Sequence, residues 1–284
     1  WVESSNPNQL DIINPATQKV IARAPSATKE ETEEAIKIAK RTFESGIWSD
    51  QSPQERAAVL LQIADLIQEN MDELRDLEVQ NNGKTKREAE SDVEEAVNTF
   101  RYYAALLNVP NGQVYETSGN MQTLIIKEPM GVAGLIVPWN FPLLMSVWKI
   151  APALAAGNSI LLKPAEITPM TAVKLFELMD QSDLPKGAAA LIMGDGPVVG
   201  QTIAESDDVD IVSFTGSTGV GRHIMQAAAG NMKKVSLELG GKSPNIIFDD
   251  ADLETAVDYS LFGIFMGSGQ VCSSGSRILV QEGL

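Results

Sequence analysis

Among 284 residues there is one cysteine, Cys272, and it stands in the stretch GSGQVCSSGS, residues 267–276. Glycines and serines are poor core material and good sources of backbone N–H groups near an anion. That setting suits a reactive thiolate, which attacks electrophilic carbon and carries an acyl group as a thioester. The plain alternative is a small buried hydrophobe, the usual role of a free cysteine. A single cysteine excludes an internal disulfide and points to a reducing compartment, with a cytoplasmic location expected. With the single histidine, His223, it cannot build a three- or four-ligand zinc site, so no metal is expected.

Four further stretches place polar or glycine-rich residues directly after short apolar runs. PWNFP (138–142) follows GLIV, KPAE (163–166) follows ILL, TGSTGVG (215–221) follows VSF, and ELGGK (238–242) follows KVSL. In an open parallel sheet, ligands bind beyond the carboxyl ends of the strands, which is where these residues fall. Singly, each has an ordinary explanation: Pro and Gly end strands, Ser and Thr cap helices, and Lys163 or Glu166 can be solvated charges. Together on one edge they form a candidate site. Glycines 216, 219 and 221 do not make G-x-G-x-x-G, yet they place Ser217 at a helix N-terminus, where free amides receive a phosphate oxygen. GGKS (240–243) resembles the end of a P-loop, but Ser236 occupies the position of that motif's first glycine, which removes the nucleoside triphosphatase reading.

The elements that must hold these residues are legible from capping and periodicity. Thr28 with Glu31 opens a helix over 28–45, and Ser52 with Glu55, with Pro53 between them, opens one over 52–70. In the second, Ala57, Leu60, Leu61, Ala64 and Ile67 form one apolar face. A third helix is expected from about Thr85 to Leu107, its acidic run REAESDVEEA a solvated face. From Val132 onward, VAGLIV, SILLKP, AALIM, VDIVSF and KVSLEL read as strands. Helices are expected around 143–155, 170–179, 198–205 and 220–229. This alternation implies an α/β fold with a doubly wound, Rossmann-like parallel sheet. Residues 112–127, polar and with a turn at SGN, read as a hairpin projecting from the body.

Composition sets the outer limits. The net charge of −16 repels phosphate backbones and anionic lipid, so neither nucleic acid nor a membrane surface is an expected partner. The apolar region 135–162 is interrupted by Pro138, Asn140, Pro142, Lys149 and Pro152, which makes it a set of buried strands and helices rather than a membrane span. The first residues, WVESSNPNQL, lack the basic start and apolar core of a signal peptide. They begin without Met, which leaves targeting open.

PWNFP, KPAE, FTGSTGVG, LELGGKSP and GQVCSSGSR occur in the order and at about the spacing seen in the NAD(P)-dependent aldehyde dehydrogenase superfamily, which the chain resembles over essentially its whole length. Members of that family are longer, so the resemblance implies a fragment. By this reading residues 1–110 and 129–241 form a discontinuous NAD-binding domain, 111–128 an oligomerisation hairpin, and 242–284 the opening of a catalytic domain. It further implies oxidation of a small-molecule aldehyde to an acid by a homodimer or homotetramer, with the aldehyde itself left open. Gly267, where many relatives have Asn, is a departure.

The resemblance assigns roles as well. Cys272 is the nucleophile, Asn140 and the cysteine's own N–H hold the oxyanion, Glu238 activates water, and Lys149 supports Glu238. NAD would meet Lys163 and Glu166 at the adenosine ribose, Trp139 and Ser217 at the pyrophosphate, and Gly196 and Pro197 along the adenine. Val137, Pro138, Phe214, Gly216, Val220, Leu239 and Gly240 complete the cofactor contacts. A carboxylate bonds a ribose diol and repels a 2′-phosphate, so Glu166 favours NAD, with NADP open if that side chain rotates away. A catalytically silent protein on the same fold and a cofactor-independent esterase are the alternatives.

Overall fold

The computed structural model describes residues 1–2, 4–109 and 112–284. Two short strands, β1 (Gln9–Ile13) and β2 (Val20–Pro25), pair antiparallel and lead into helices α1 (Lys29–Glu44), α2 (Pro53–Glu69), α3 (Met71–Asn82) and α4 (Lys86–Leu106). Full capping boxes open α1 (Thr28 with Glu31), α2 (Ser52 with Glu55) and α4 (Thr85 with Glu88), each satisfying otherwise unpaired N–H groups of a first turn. Strands β3 (Gln113–Glu116) and β4 (Gln122–Ile125) pair only with each other, and all eight residues are exposed.

The body is a parallel sheet of β5 (Val132–Ile136), β6 (Ser159–Lys163), β7 (Ala189–Leu191), β8 (Ile211–Gly216) and β9 (Lys234–Leu239), in the order β7-β6-β5-β8-β9. Crossovers run through α5 (Pro142–Ala155), α6 (Met170–Met179), a wide π-type turn (Gly196–Gly200) into α7 (Gln201–Glu205), and α8 (Thr218–Ala228). Alternate side chains of the strands serve two cores, as a doubly wound sheet requires. Ala133 and Leu135 of β5 with Ile160 and Leu162 of β6 pack under α2, α4, α5 and α6, whereas Val132, Ile136 and Leu161 pack against α1, α7 and α8. Strand order reverses between β5 and β8, so a crevice opens there at the carboxyl edge. Beyond β9 the chain leaves this sheet: β10 (Pro244–Ile247) pairs with β11 (Arg277–Val280), and α9 (Leu253–Phe265) lies between them in sequence.

Three expectations change. Helix α3 is absent from the sequence reading, because Asn70 offers no side-chain cap bond and four of its five buried residues, Arg75, Glu78, Asn81 and Asn82, are polar. Leu61 is 43% exposed, and Val59 and Ile63 complete the buried face of α2 instead. The acidic run of α4 is not wholly solvated: Asp92 is buried against Lys84, because a buried ammonium needs a carboxylate partner. Among the described residues no helix is long and apolar enough to cross a membrane.

Candidate active site

The turn after β5 carries Pro138, Trp139 and Asn140 and is held from beneath. The buried side chain of Asn82, at the end of α3, donates to the carbonyls of Trp139 (2.8 Å) and Asn140 (3.4 Å). Glu78 accepts from the Leu143 N–H (3.3 Å) and the Thr171 hydroxyl (3.0 Å), and Lys84 sits 4.4 Å over the Phe141 ring and pairs with Glu78 and Asp92. Burial pushes the Glu78 and Asp92 carboxyls upward, against the opposing pull of Lys84. So anchored, Asn140 Nδ2 donates to the Gln270 carbonyl at 2.7 Å, two residues before the exposed Cys272. An amide NH₂ has two hydrogens, which leaves one for another acceptor.

The loop after β9 approaches the same cysteine. A Cβ placed on Gly241 would lie 3.2 Å from the Cys272 carbonyl, so only the bare backbone of glycine passes there comfortably. Glu238 is exposed near the end of β9, in register with Thr215 of β8, whose buried hydroxyl has no partner in the protein. Lys149, on the face of α5 turned to the sheet, donates to Ser213 Oγ at 2.9 Å. Burial pulls its pKa down to about 8, with the charge of Glu238 acting the other way.

A second group forms at the end of β6. Lys163, buried, donates to the Pro164 carbonyl (3.0 Å) and to Glu166 Oε1 (2.9 Å), which also accepts the Gly196 N–H (2.6 Å). The carboxyl lies below its ordinary range: burial works to raise it, and Lys163 with these hydrogen bonds outweighs that. One ammonium hydrogen and one carboxylate oxygen remain for a diol. Pro197 follows in the turn, and Ser217 caps α8 by accepting from the Val220 N–H. Nothing stands within 4 Å of a Cβ placed on Gly240, and Trp139 is half-exposed. Val137 and Phe214 are buried in the two cores and Leu239 is partly buried, so at those positions and at Gly216 the backbone is what the edge offers. The helix N-terminus, the open glycine, the orphaned Thr215 hydroxyl and the Lys163–Glu166 pair together fit a dinucleotide bearing a ribose diol.

Sequence reasoning missed Glu78, Asn82, Lys84 and Glu88, which support the candidate site from α3, α4 and the turn between them. Only the Thr85/Glu88 spacing, a capping box, was there to be read. Also missed is an open groove of about 460 Å³ between α4 and α5, lined by Glu95, Asn98, Thr99, Tyr102, Tyr103 and Trp148.

The chain matches the Aldehyde dehydrogenase family over residues 1–284. It is 47% identical over 285 residues to a betaine aldehyde dehydrogenase of Bacillus subtilis (strain 168), covering 100% of this chain and 58% of that protein. It is 45% identical to an aldehyde dehydrogenase of Emericella nidulans, covering 100% of this chain and 57% of the relative. A crystal structure of betaine aldehyde dehydrogenase from Staphylococcus aureus in complex with NAD+ superposes with a TM-score of 0.97 at 49% identity, over 99% of this chain and 56% of that one. The chain thus spans a little over half the length of the relatives it matches.

Proposed function

The chain belongs to the aldehyde dehydrogenase family, and we propose on that premise that it provides the cofactor-binding region and the nucleophile of an enzyme that oxidises an aldehyde to a carboxylic acid with NAD. The hydrogen bond from Asn140 to the Gln270 carbonyl carries this reading, because it ties a side-chain amide to the loop that bears Cys272. The Cys272 thiolate adds to the aldehyde carbon, and the carbonyl oxygen takes the negative charge, facing the free Asn140 hydrogen and the Cys272 N–H. NAD, when bound, supplies the acceptor for the hydride that the adduct loses as its oxyanion collapses. The thioester left on Cys272 is cleaved by water, whose proton Glu238 removes, and the acid departs as the thiol re-forms. Gly240 and Gly241 let the Glu238 loop move aside before that step. Lys149 stabilises the Glu238 carboxylate.

Glu166 supports NAD over NADP, since its charge meets a diol well and a 2′-phosphate badly. The relatives named for betaine aldehyde and the groove with Glu95, Tyr102, Tyr103 and Trp148 support an aldehyde with a cationic end, which aromatic faces and a carboxylate attract. The domain division read from the sequence, with the exposed hairpin Gln113–Ile125 as a contact between subunits of a homodimer or homotetramer, belongs to the same reading, as does a reducing, cytoplasmic setting for an exposed thiol. The test is direct: the intact protein, given NAD and betaine aldehyde, forms NADH, and mass spectrometry finds a transient acyl adduct on Cys272. NADH formation with no adduct at Cys272, or ester hydrolysis indifferent to NAD as the sole activity, overturns it.

A further inference from the structure

Glu88 divides its two carboxylate oxygens between tasks far apart in sequence. Oε2 accepts the Thr85 N–H (3.0 Å) and the Thr85 hydroxyl (2.7 Å), closing the capping box of α4. Oε1 accepts the N–H of Gly267 at 2.7 Å, 179 residues downstream. Gly267 is one of two buried residues after Gly240, the other being Ser260. It begins three successive left-handed residues, Gly267 (φ +57°), Ser268 (φ +58°) and Gly269 (φ +77°). That run closes with the Gln270 N–H on the Gly267 carbonyl at 3.1 Å. Left-handed backbone is unfavourable for serine, so this turn needs anchoring from outside. It has an anchor at each end: Glu88 on the amide of Gly267, and Asn140 on the carbonyl of Gln270. Burial works to raise the Glu88 carboxyl, yet the hydrogen bonds from Gly267 and Thr85 hold it below its ordinary range, so it is an ionised and strong acceptor at neutral pH.

We propose that Glu88 is a positioning residue for Cys272, fixing through the Gly267 amide the left-handed turn that delivers the thiol to Asn140. The proposal rests on the reading of Cys272 as nucleophile. The experiment uses the intact protein and compares Glu88→Ala with Thr85→Ala. Both break the capping box, and only the first releases Gly267. Glu88→Ala lowers the pre-steady-state rate of NADH formation about 100-fold, the cost of a misplaced reacting group, with NAD affinity unchanged and amide exchange accelerated over 267–271. Thr85→Ala lowers thermal stability comparably but spares both the rate and the exchange. Glu88→Gln, whose amide oxygen still accepts from Gly267, stays within about fivefold. Should Glu88→Ala fail to fold, Glu88→Asp gives the same slowing, because it keeps a carboxylate at the helix start but is too short to span both partners. An unchanged rate in Glu88→Ala, or equal slowing in Thr85→Ala, overturns the proposal. NADH formation surviving in Cys272→Ala would instead defeat the nucleophile reading, leaving the exchange difference at Gly267 to report on Glu88 alone.

Discussion

In these 284 residues, a little over half the length of the relatives the chain matches, the five-stranded body and the segment from Gly240 to Leu284 differ in burial. All ten residues of β5 and β6 are buried, and their side chains feed two cores. In the later segment only Ser260 and Gly267 are buried, while Tyr259, Phe262 and Phe265 of α9 are 71%, 64% and 69% exposed. Positions in the body are therefore fixed redundantly by packing, where each large buried side chain is worth about 2–5 kcal/mol. Within these 284 residues the turn before Cys272 is tied to the body by individual hydrogen bonds of about 1 kcal/mol each, among them those from Asn140 and Glu88. The proposed site lies where the two meet: Asn140, Glu238 and Lys149 belong to the packed platform, and Cys272 lies on a tethered loop.

The sharpest way to break this comparison is to remove the one group the segment contributes. Cys272→Ala should lower aldehyde oxidation by on the order of 10⁴-fold or more while NAD binding, measured by titration, stays unchanged. A loss of NAD binding would mean that the loop also shapes the cofactor site. On the platform side, Glu238→Gln should slow steady turnover by about 10²- to 10⁴-fold. Rapid mixing should then yield at most one NADH per site, followed by a slow phase with acyl-enzyme on Cys272. Full steady turnover in that variant would move the base elsewhere.

Stability measurements probe the same contrast directly. Ile160→Ala, at a fully buried position of β6, should cost about 2–5 kcal/mol in denaturant unfolding. Ile278→Ala on β11, 54% exposed, should change it by less than about 0.5 kcal/mol. Equal losses would erase the distinction between regions.

Lys149 adds a pH signature of the platform. Its folded pKa of about 8 lies below the ordinary 10.5, with burial as the main cause. Between those values the unfolded chain binds the additional proton, so this group's contribution to stability rises with pH across the window, by up to about 3 kcal/mol. Lys149→Met should flatten that rise, and an unchanged stability–pH curve would show that the ammonium is better solvated than its burial implies. The smallest effect is expected at Glu166: replacing it with Gln should narrow the preference for NAD over NADP by about tenfold or less, read from titrations of both cofactors. Equal affinities in the unaltered protein would remove the electrostatic argument.

Much of the platform was legible because it is written in short-range patterns. The capping boxes at Thr28 and Ser52 involve residues three apart, and the strands ending at PWN, KPAE, TGS and ELGG announce themselves by runs of apolar residues that stop at polar ones. Helix α3 escaped because its buried side chains are largely polar, which leaves no apolar period to detect. Asp92 escaped because its acidic neighbours are the mark of a solvated face, and nothing local says that Lys84 waits inside. The hairpin Gln113–Ile125 was visible from its turn, SGN, although its apolar side chains Val114 and Leu124 remain exposed.

By itself, then, the sequence determined the order of elements from α4 to β9, the parallel sheet, and the candidate residues Cys272, Asn140 and Glu238, because caps, periodicity and strand ends are local and repeat every two to four residues; α3 and the elements after β9 lay outside it. Tertiary structure alone decided that Asn82 would hold the backbone of Asn140, that Asn140 would reach the cysteine loop 130 residues away, and that Glu88 would spend one oxygen on its own helix and the other on Gly267. A polar side chain in a sequence shows its capacity to donate or accept. Which partner it takes is set by the packing that brings distant backbone within about 3 Å, and no local pattern encodes that distance.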